Sequence, residues 1–363
     1  MIKLGIEATS VCTPHRSGIA NYTASLIEAL ATNNEFQTNF NLDLLYKLSR
    51  IKKRTYCFNP QHYKPVWHYN SLLPINKSYR LVHSPDNIFL NFKGAKKIVT
   101  IHDLAILKKE NDIKGYTDER FKSKVIDYLT FVSKKADAII TVSQFTKNDF
   151  LNHFDFPENK VFVTHLGVRL PATIKSTSNI LEKNNLLPKK YVLFTGMISI
   201  RKNLINLIKA FKESGLYTGY KLVLAGSASM GYDKIITEVK KVELENTIVF
   251  TGFISDIELS DLFKNAKAFL FPTFYEGFGM PIIEAMNYQV PVLIGNRGAA
   301  PEIAANNAIQ ANPFDVCSIA EGIKKTIEMN NGAIEAAAKH AATFTWEKCA
   351  KETLDTYKRV LTE

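Results

Sequence analysis

Short apolar runs alternate along the chain with longer stretches whose apolar residues recur at helical spacing. In the first half, the apolar runs predict strands, and the stretches between them predict helices at 18–31 and 118–135. The predicted strands of this half are 3–8, 80–83, 97–102, 138–142 and 160–165. Strands and helices that alternate at this spacing form right-handed βαβ units, so we expect a parallel sheet covered by helices.

The same alternation begins again after a polar stretch with several prolines at 169–190. Its predicted strands are 191–196, 221–225, 247–251, 268–272 and 292–294, and its predicted helices are 204–214, 232–242, 255–266 and 281–288. We therefore predict an α/β protein with two facing Rossmann-like domains, 1–168 and 191–345, joined by a linker at 169–190. In such folds, ligands bind at the carboxyl ends of the strands.

Composition narrows the class of protein. A chain of 363 residues is long for a single core, and its 46% hydrophobic and 22% charged content is typical of globular proteins. The apolar run at the N-terminus is too short for a signal peptide, and no run approaches the length of a membrane span. The cysteines have no spacing suited to zinc or redox work, so we expect reduced thiols and a cytosolic location; they are Cys12, Cys57, Cys317 and Cys349.

Positive charge is concentrated in the first half. Residues 1–185 carry 26 Lys and Arg against 16 Asp and Glu, whereas residues 186–363 carry 20 against 19. The densest cluster, at 47–58, mixes basic, aliphatic and aromatic residues. Such a cluster can lie on an anionic membrane surface, although a solvated surface loop explains it equally well. Nucleic acid is a weaker interpretation, because no recognisable nucleic-acid-binding module accompanies the charge.

The most informative segment, 274–286, contains two carboxylates separated by a glycine-rich turn and a proline. Glu276 precedes the turn, Pro281 fits the first position of a helix, and Glu284 is expected in the first helical turn. Backbone N–H groups at such a helix start bind anions, so a phosphate flanked by two hydroxyl-binding carboxylates predicts a nucleotide-sugar. The alternative is an ordinary turn followed by a glutamate that interacts only with the helix dipole.

Other predicted strands also end in candidate ligand groups. Gly18 lies in a loop before a helix, where its backbone can approach a phosphate or simply form a turn. His102 is followed by Asp103 at a strand end, an arrangement that is common in purely structural hydrogen bonding. Gly196 ends another strand and leads to Arg201 and Lys202, two cations that can neutralise a diphosphate or cap a helix at the surface.

Together these segments resemble family 4 glycosyltransferases, which are retaining enzymes of the GT-B fold. The resemblance extends over nearly the whole chain. The segments that carry it are 16–22, 100–104, 139–143, 164–168, 195–203, 276–284 and 298–302. The last segment, 344–349, and the helix predicted at about 346–363 also resemble the family's final element, which packs back onto the first domain.

The resemblance implies a role for each candidate residue. Glu284 would bind the ribose hydroxyls, and Glu276 would hold the transferred sugar with the backbone of Gly277, Phe278 and Gly279. Arg201 and Lys202 would stabilise the leaving diphosphate, joined by the backbone near Gly18. His102 would contact a distal hydroxyl of the donor sugar. Many relatives place a basic residue directly after the glycine that ends the strand, whereas Gly196 here is followed by Met197, so Arg201 is taken as the replacement.

The same resemblance favours a bacterial mannosyltransferase branch. It implies transfer of a hexose, mannose by preference, from GDP-mannose or a UDP-hexose to a glycan or lipid-linked acceptor in surface polysaccharide or lipopolysaccharide assembly. The sequence contains no Asp-x-Asp, so we expect no metal and no cofactor beyond the donor. The acceptor is expected on the basic first domain, with the enzyme cytosolic or peripheral on the inner membrane. A nucleotide-sugar epimerase or hydrolase is the alternative within the fold, and a basic binding module without catalysis is a third interpretation.

Overall fold

The computed structural model describes residues 1–14, 17–58, 63–68, 78–86, 88–108, 119–168 and 178–362. Spatial contacts divide the chain into two units. The first unit comprises Met1–Ile106, Glu119–Gly167 and Thr345–Glu363. The second comprises Val168–Phe344 together with Leu107 and Lys108.

Each unit contains one parallel sheet. In the first unit the described strands follow the order β3-β2-β1-β4-β5-β6-β7; they are β1 Ile2–Glu7, β2 Phe40–Lys47, β3 Lys64–His68, β4 Leu81–Ser84, β5 Lys96–Ile101, β6 Ala138–Thr141 and β7 Val161–Val163. In the second unit the order is β10-β9-β8-β11-β12-β13; these strands are β8 Tyr191–Thr195, β9 Lys221–Ala225, β10 Ile248–Gly252, β11 Ala268–Phe271, β12 Val292–Gly295 and β13 Ile309–Ala311.

Helices connect the strands and cover both sheets. Those of the first unit are α1 Gly18–Ala31, α2 Asn34–Asn39, α3 Glu119–Lys135, α4 Gln144–His153 and the last helix of the chain, α13 Trp346–Thr362. Those of the second unit are α5 Ile180–Lys183, α6 Leu204–Glu213, α7 Tyr232–Lys241, α8 Asp256–Asn265, α9 Met280–Asn287, α10 Ala300–Ala304, α11 Val316–Ile327 and α12 Asn331–Ala341. Within the described ranges, no helix is both long enough and apolar enough to cross a membrane.

The sequences of the strands are continuous apolar runs because both faces of each sheet are buried. Strands β8 and β11 contain no exposed residue, and the aromatic rings of Phe194 and Phe271 stack 5.7 Å apart between them. The prediction of two Rossmann-like units with parallel sheets is therefore confirmed. All ten predicted strands are present, and each of their ends lies within two residues of its predicted place.

Three strands were not predicted, and each has a physical reason. Strand β2 contains the polar residue Asp43, which is buried and accepts a hydrogen bond of 2.7 Å from the Tyr79 hydroxyl. Strand β3 contains Pro65, which is tolerated because β3 lies at the edge of its sheet. Strand β13 has only three residues, too few for a period to be seen.

Part of the predicted linker falls on residues 169–177, which lie outside the described residues. Its remainder, 178–190, belongs to the second unit and contains helix α5. Ile180 and Leu186 are buried there, and the Ser178 hydroxyl donates a 2.6 Å hydrogen bond to Asp261 on α8.

Candidate functional site

The predicted strand, loop and helix are present in the second unit as β11, residues 272–279 and α9. Gly279 caps the helix with φ +96°, a left-handed conformation that favours glycine. A Cβ at this position would also lie 2.8 Å from Ile282 Cδ1. The helix begins at Met280, so Pro281 occupies its second position instead of the first. The glycine therefore sets the direction in which the backbone N–H groups at the start of α9 point.

Glu284 does not lie in the first turn of α9, which contains no acidic residue, and this detail of the sequence analysis is wrong. Since the helix begins at Met280, Glu284 is its fifth residue and lies in the second turn, beyond the end where the dipole acts most strongly. Burial, together with the nearby negative charge of Asp256, raises the pKa of the Glu284 carboxyl to about 7. The group thus changes its charge close to neutral pH.

Two of the nominated side chains form a direct ion pair. Lys202 Nζ lies 2.7 Å from Glu276 Oε1, and both residues are buried. The same ammonium lies 5.3 Å from the centre of the Phe271 ring, at the end of β11. A buried pair at hydrogen-bond distance holds both side chains in one position. The structure thus joins the loop after β8 to the loop after β11 at the carboxyl edge of this sheet.

Asn203 positions the cation, and the sequence analysis assigned it no role. It adopts the left-handed conformation (φ 61°, ψ 28°) between the short 3₁₀ helix Ile200–Lys202 and α6. Its buried amide nitrogen donates to the carbonyl oxygens of Pro272, at 2.8 Å, and Pro313, at 2.6 Å. Asparagine tolerates this conformation better than most residues, a signal that was available in the sequence.

A second loop, which contains Gly298, packs against the backbone of Glu276. Gly298 has φ +69°, and a Cβ there would lie 2.9 Å from the Glu276 nitrogen and 3.0 Å from its oxygen. The next residue, Ala299, donates its N–H to the Glu276 carbonyl at 2.9 Å. Gly298 therefore permits the close backbone contact that fixes Glu276.

The remaining nominated residues of the second unit lie around this pair. Arg201 is half-buried and adjoins Lys202 on the same 3₁₀ helix. Gly196 follows β8 and donates its N–H to the Ala225 carbonyl at 2.9 Å. The Phe278 ring is buried edge-on against Phe344, which anchors the loop between Glu276 and α9.

His102 lies in the first unit, directly after β5. Its Nε2 contacts the Pro85 carbonyl at 2.8 Å, and its ring packs edge-on against Tyr22 at 4.8 Å. Because a carbonyl only accepts, Nε2 carries the proton and Nδ1 is the accepting nitrogen. Burial lowers the pKa of His102, which keeps the ring neutral. A neutral imidazole held in this way can accept a hydrogen bond from a sugar hydroxyl.

Gly18 is the exposed first residue of α1, and Ser17 caps the helix by accepting from the Ala20 N–H at 3.3 Å. The predicted motif 16–22 begins at Arg16, which lies outside the described residues. In the parts of the chain that are described, no group of three or more His, Cys, Asp and Glu residues has the arrangement needed for a metal ion.

The first unit contains a cavity of about 450 Å³, which was not predicted from the sequence. It opens where β1, β2 and β4 end. Its walls are Thr9, Ser10, Cys12, Thr13, Ser17, Lys47, Ser49, Arg50, Asp86 and Ile88. The buried Glu7 lies close by, at the end of β1, and its two carboxyl oxygens each accept from the Thr9 N–H at 3.2 Å. The sequence signal for this cavity was the position of Lys47 at the end of a strand. It was not recognised because β2 was not predicted.

Two family models match the chain in succession. The model for Glycosyltransferase Family 4 matches residues 11–170, and the model for Glycosyl transferases group 1 matches residues 176–342. Together they cover both units, including the Lys202–Glu276 pair and α9. The chain belongs to the family 4 glycosyltransferases. It is therefore an enzyme of glycosyl transfer, as the sequence analysis predicted.

Similar sequences and solved structures extend over nearly the whole length of this glycosyltransferase. The O-antigen chain mannosyltransferase B of Escherichia coli is 26% identical, over 94% of this chain and 96% of its own length. Sucrose-phosphate synthase from Thermosynechococcus elongatus has a TM-score of 0.73 at 17% identity and covers all of both chains. Anabaena HepE, solved in complex with UDP and glucose, has a TM-score of 0.71 at 17% identity, over 99% of this chain and all of its own. The predicted GT-B fold is confirmed.

Proposed function

We propose that this glycosyltransferase moves a hexose, preferably mannose, from a nucleotide-diphosphate sugar to a glycan or lipid-linked acceptor in lipopolysaccharide or related surface polysaccharide synthesis. The observation that carries the proposal is the buried Lys202–Glu276 pair at the carboxyl edge of the second sheet, beside the start of α9. The name of the E. coli relative, an O-antigen chain mannosyltransferase, supports mannose and this pathway class.

In this proposal the second unit holds the donor. The ribose hydroxyls bind Glu284, and the diphosphate lies near Arg201, Lys202 and the N–H groups at the start of α9. Breaking the glycosyl–phosphate bond develops negative charge on the diphosphate and positive charge on the sugar. Cations and N–H groups that are already in place stabilise that charge, which accounts for catalysis without a metal ion.

The sugar is held by Glu276, whose carboxylate is fixed by Lys202 and whose backbone is fixed by the loop that contains Gly298. The proposed reaction retains the anomeric configuration, with the acceptor attacking from the face that the diphosphate leaves. The departing phosphate oxygen takes the acceptor's proton, so no separate nucleophile is needed. In the first unit, the neutral His102 offers Nδ1 as an acceptor for a sugar hydroxyl.

GDP-mannose is the preferred donor, and a UDP-hexose is the alternative. The first is favoured by the E. coli mannosyltransferase relative, and the second by HepE, which was solved with UDP and glucose. A thermal-shift comparison of GDP, UDP and ADP separates them, because the ligand that binds most tightly raises the melting temperature most.

The experiment that tests the site uses Lys202→Met, Glu276→Gln and the double variant. Each single change removes a group that acts on the reacting sugar or diphosphate, so we expect the transfer rate to fall by about a hundredfold or more. The exposed pair Lys324–Glu321, on α11 of the same unit, provides matched control variants. Full activity in either single variant would refute the assignment.

An epimerase or hydrolase activity is tested by incubating the enzyme with the donor alone. A transferase requires the acceptor for rapid turnover, so the proposal expects donor consumption to accelerate when a glycan acceptor is added. Rapid formation of an isomerised or hydrolysed sugar without acceptor would establish the alternative.

We further propose a peripheral position on the cytosolic face of the inner membrane. The 3₁₀ helix Leu48–Tyr56 presents Lys52, Lys53 and Arg54 to solvent, beside the exposed Ile51. Each basic residue near an anionic surface contributes about 1 kcal/mol of attraction. Sedimentation with phosphatidylglycerol vesicles should be stronger than with phosphatidylcholine and should weaken in the Lys52→Ala/Lys53→Ala/Arg54→Ala variant. Equal sedimentation with both lipids would remove the membrane proposal.

A further inference from the structure

The cavity at the end of β1, β2 and β4 has a mixed lining that differs from an ordinary surface cleft. At about 450 Å³ it falls within the range of roughly 300–1,000 Å³ found for small-molecule sites. Five of its side chains are hydroxyls: Thr9, Ser10, Thr13, Ser17 and Ser49. Hydroxyls together with a carboxylate, here Asp86, are groups that bind sugar hydroxyls. No side chain assigned to donor binding lines this cavity, although Gly18, whose backbone was assigned to the diphosphate, follows Ser17 directly.

Two cations share the same lining. Lys47 is the last residue of β2, and its backbone N–H donates to the Thr9 hydroxyl at 2.8 Å, which ties the strand end to the loop after β1. Arg50 follows on the 3₁₀ helix and is exposed. Among the described residues, neither side chain forms an ion pair. Two unpaired cations at one cavity are able to bind an anion.

The buried carboxyl nearby does not cancel this charge. Glu7 is completely buried, and burial raises its pKa to about 8 even though Lys47 acts in the opposite direction. The group therefore keeps its proton at neutral pH. Glu7 thus leaves two cations, Lys47 and Arg50, against one carboxylate, Asp86, in the lining of the cavity.

We propose that this cavity binds the acceptor and selects an acceptor that carries a phosphate or diphosphate ester, held by Lys47 and Arg50 while Asp86 and the hydroxyls bind its sugar. The inference rests on the proposed function, because it assigns the acceptor to a site in the first unit. Two sources share this chemistry: a lipid-linked sugar diphosphate and a phosphorylated sugar within a glycan.

The test compares Lys47→Ala/Arg50→Ala with Lys134→Ala/Lys135→Ala. The second pair is a matched control, because it removes two exposed cations from helix α3 of the same unit without touching the cavity lining. Water-soluble acceptors keep membrane binding out of the measurement. They are a hexosyl diphosphate with a short alkyl chain, a hexose-6-phosphate glycoside and the neutral alkyl hexoside.

We expect the KM for a phosphorylated acceptor to rise at least about tenfold in Lys47→Ala/Arg50→Ala, because each charged hydrogen bond contributes enough for such a change. The KM for the neutral hexoside and the melting-temperature increase given by the nucleoside diphosphate should stay at their parent values. The diphosphate and the 6-phosphate arms identify which source the cavity accepts.

Three outcomes would overturn the inference: an unchanged KM for both phosphorylated acceptors, an equal rise for the neutral hexoside, or an equal rise in the control variant. Failure of the proposed function looks different. In that case the parent enzyme itself shows no transfer from any nucleotide-sugar, and titration with inorganic pyrophosphate at saturating GDP still measures the cavity through the loss of binding in Lys47→Ala/Arg50→Ala.

Discussion

At the scale of single residues, Glu284 combines a proposed binding role with an unusual ionisation. Its carboxyl is held in the second turn of α9, where burial raises the pKa to about 7. A ribose hydroxyl is bound best by the ionised carboxylate, which accepts hydrogen bonds at both oxygens. Around neutral pH, the proton on Glu284 and the nucleotide therefore compete for the same group.

This competition predicts that nucleotide affinity depends on pH. Below pH 7 the carboxyl is protonated and binding must first remove the proton, so the affinity for a nucleoside diphosphate should rise about tenfold between pH 6 and pH 8. Calorimetric titration of the parent and of Glu284→Gln at each pH measures it. Dividing the affinity of the parent by that of Glu284→Gln at each pH cancels the effect of the ligand's own phosphate titration. A ratio that stays constant across this range would contradict the role of Glu284.

The residue identities of the site were predictable, but the pairing between them was not. Glu276 and Lys202 were each nominated from their place after a strand. Their contact at 2.7 Å depends on β8 and β11 being neighbours in the sheet, which sequence spacing does not specify. Asn203 was missed as a positioning residue because its two partners, Pro272 and Pro313, are 69 and 110 positions away.

At the scale of elements, helix α13 completes the first unit. It packs against α1, and the Tyr357 hydroxyl contacts His83 Nδ1 at 2.7 Å on the neighbouring strand β4. His83 Nε2 in turn contacts the Thr100 hydroxyl on β5 at 2.8 Å, and burial lowers the pKa of this histidine to about 3. A neutral histidine thus joins the last helix to the centre of the sheet.

Gly167 controls the start of this helix. A Cβ at Gly167 would collide with the backbone of Thr345 and Trp346, which a side-chain rotation cannot relieve. We therefore expect Gly167→Ala to lower the free energy of unfolding by about 3 kcal/mol or more. Chemical denaturation measures the loss.

Gly219→Ala is the matched control, since nothing lies within 4 Å of a Cβ at that position. It should change stability by less than about 1 kcal/mol. If Gly167→Ala and Gly219→Ala were equally stable, the close packing of 167 against α13 would not be a constraint.

Helix and strand positions were predicted for most of the long elements, but α11 and α12, of 12 and 11 residues, were not predicted. The boundaries of α1 agree at both ends because Ser17 is a strong cap and the apolar stripe is continuous. The 3₁₀ helix Leu48–Tyr56 was not predicted, because its residues are mostly polar and it contains a non-helical residue, Lys53. The conformation of short, exposed elements of this kind is set by the elements beside them, and their own sequence shows little periodicity.

At the scale of the whole molecule, the residues assigned to the donor lie in the second unit, apart from Gly18 and His102, whereas the cavity belongs to the first. A saturating nucleoside diphosphate should therefore slow amide exchange mainly in the second unit, at 196–203 and 276–287. At a hundredfold excess over the Kd, amides that exchange only from the unbound form should slow by about a hundredfold. Hydrogen exchange with mass spectrometry measures this for each peptide.

Slower exchange at the peptide that contains Gly18 would report the backbone contribution predicted for the start of α1. Protection confined to the first unit would contradict the assignment of the donor. The charge asymmetry of the two halves was visible in the sequence. The cavity lined by two of these positive charges, Lys47 and Arg50, was not visible in the sequence. It forms only when β1, β2 and β4 are adjacent in the sheet.

The place of α13 in the first unit has a consequence for biosynthesis. The ribosome releases residues 168–344, all of the second unit's main segment, before α13 emerges. At about 5–20 residues per second, the first unit therefore waits roughly ten to forty seconds for its last helix. During that interval the face of α1 that α13 later covers is open, and His83 lacks the Tyr357 hydroxyl. The unit that is begun first is thus finished last, and the nascent chain needs protection from aggregation at its N-terminal half.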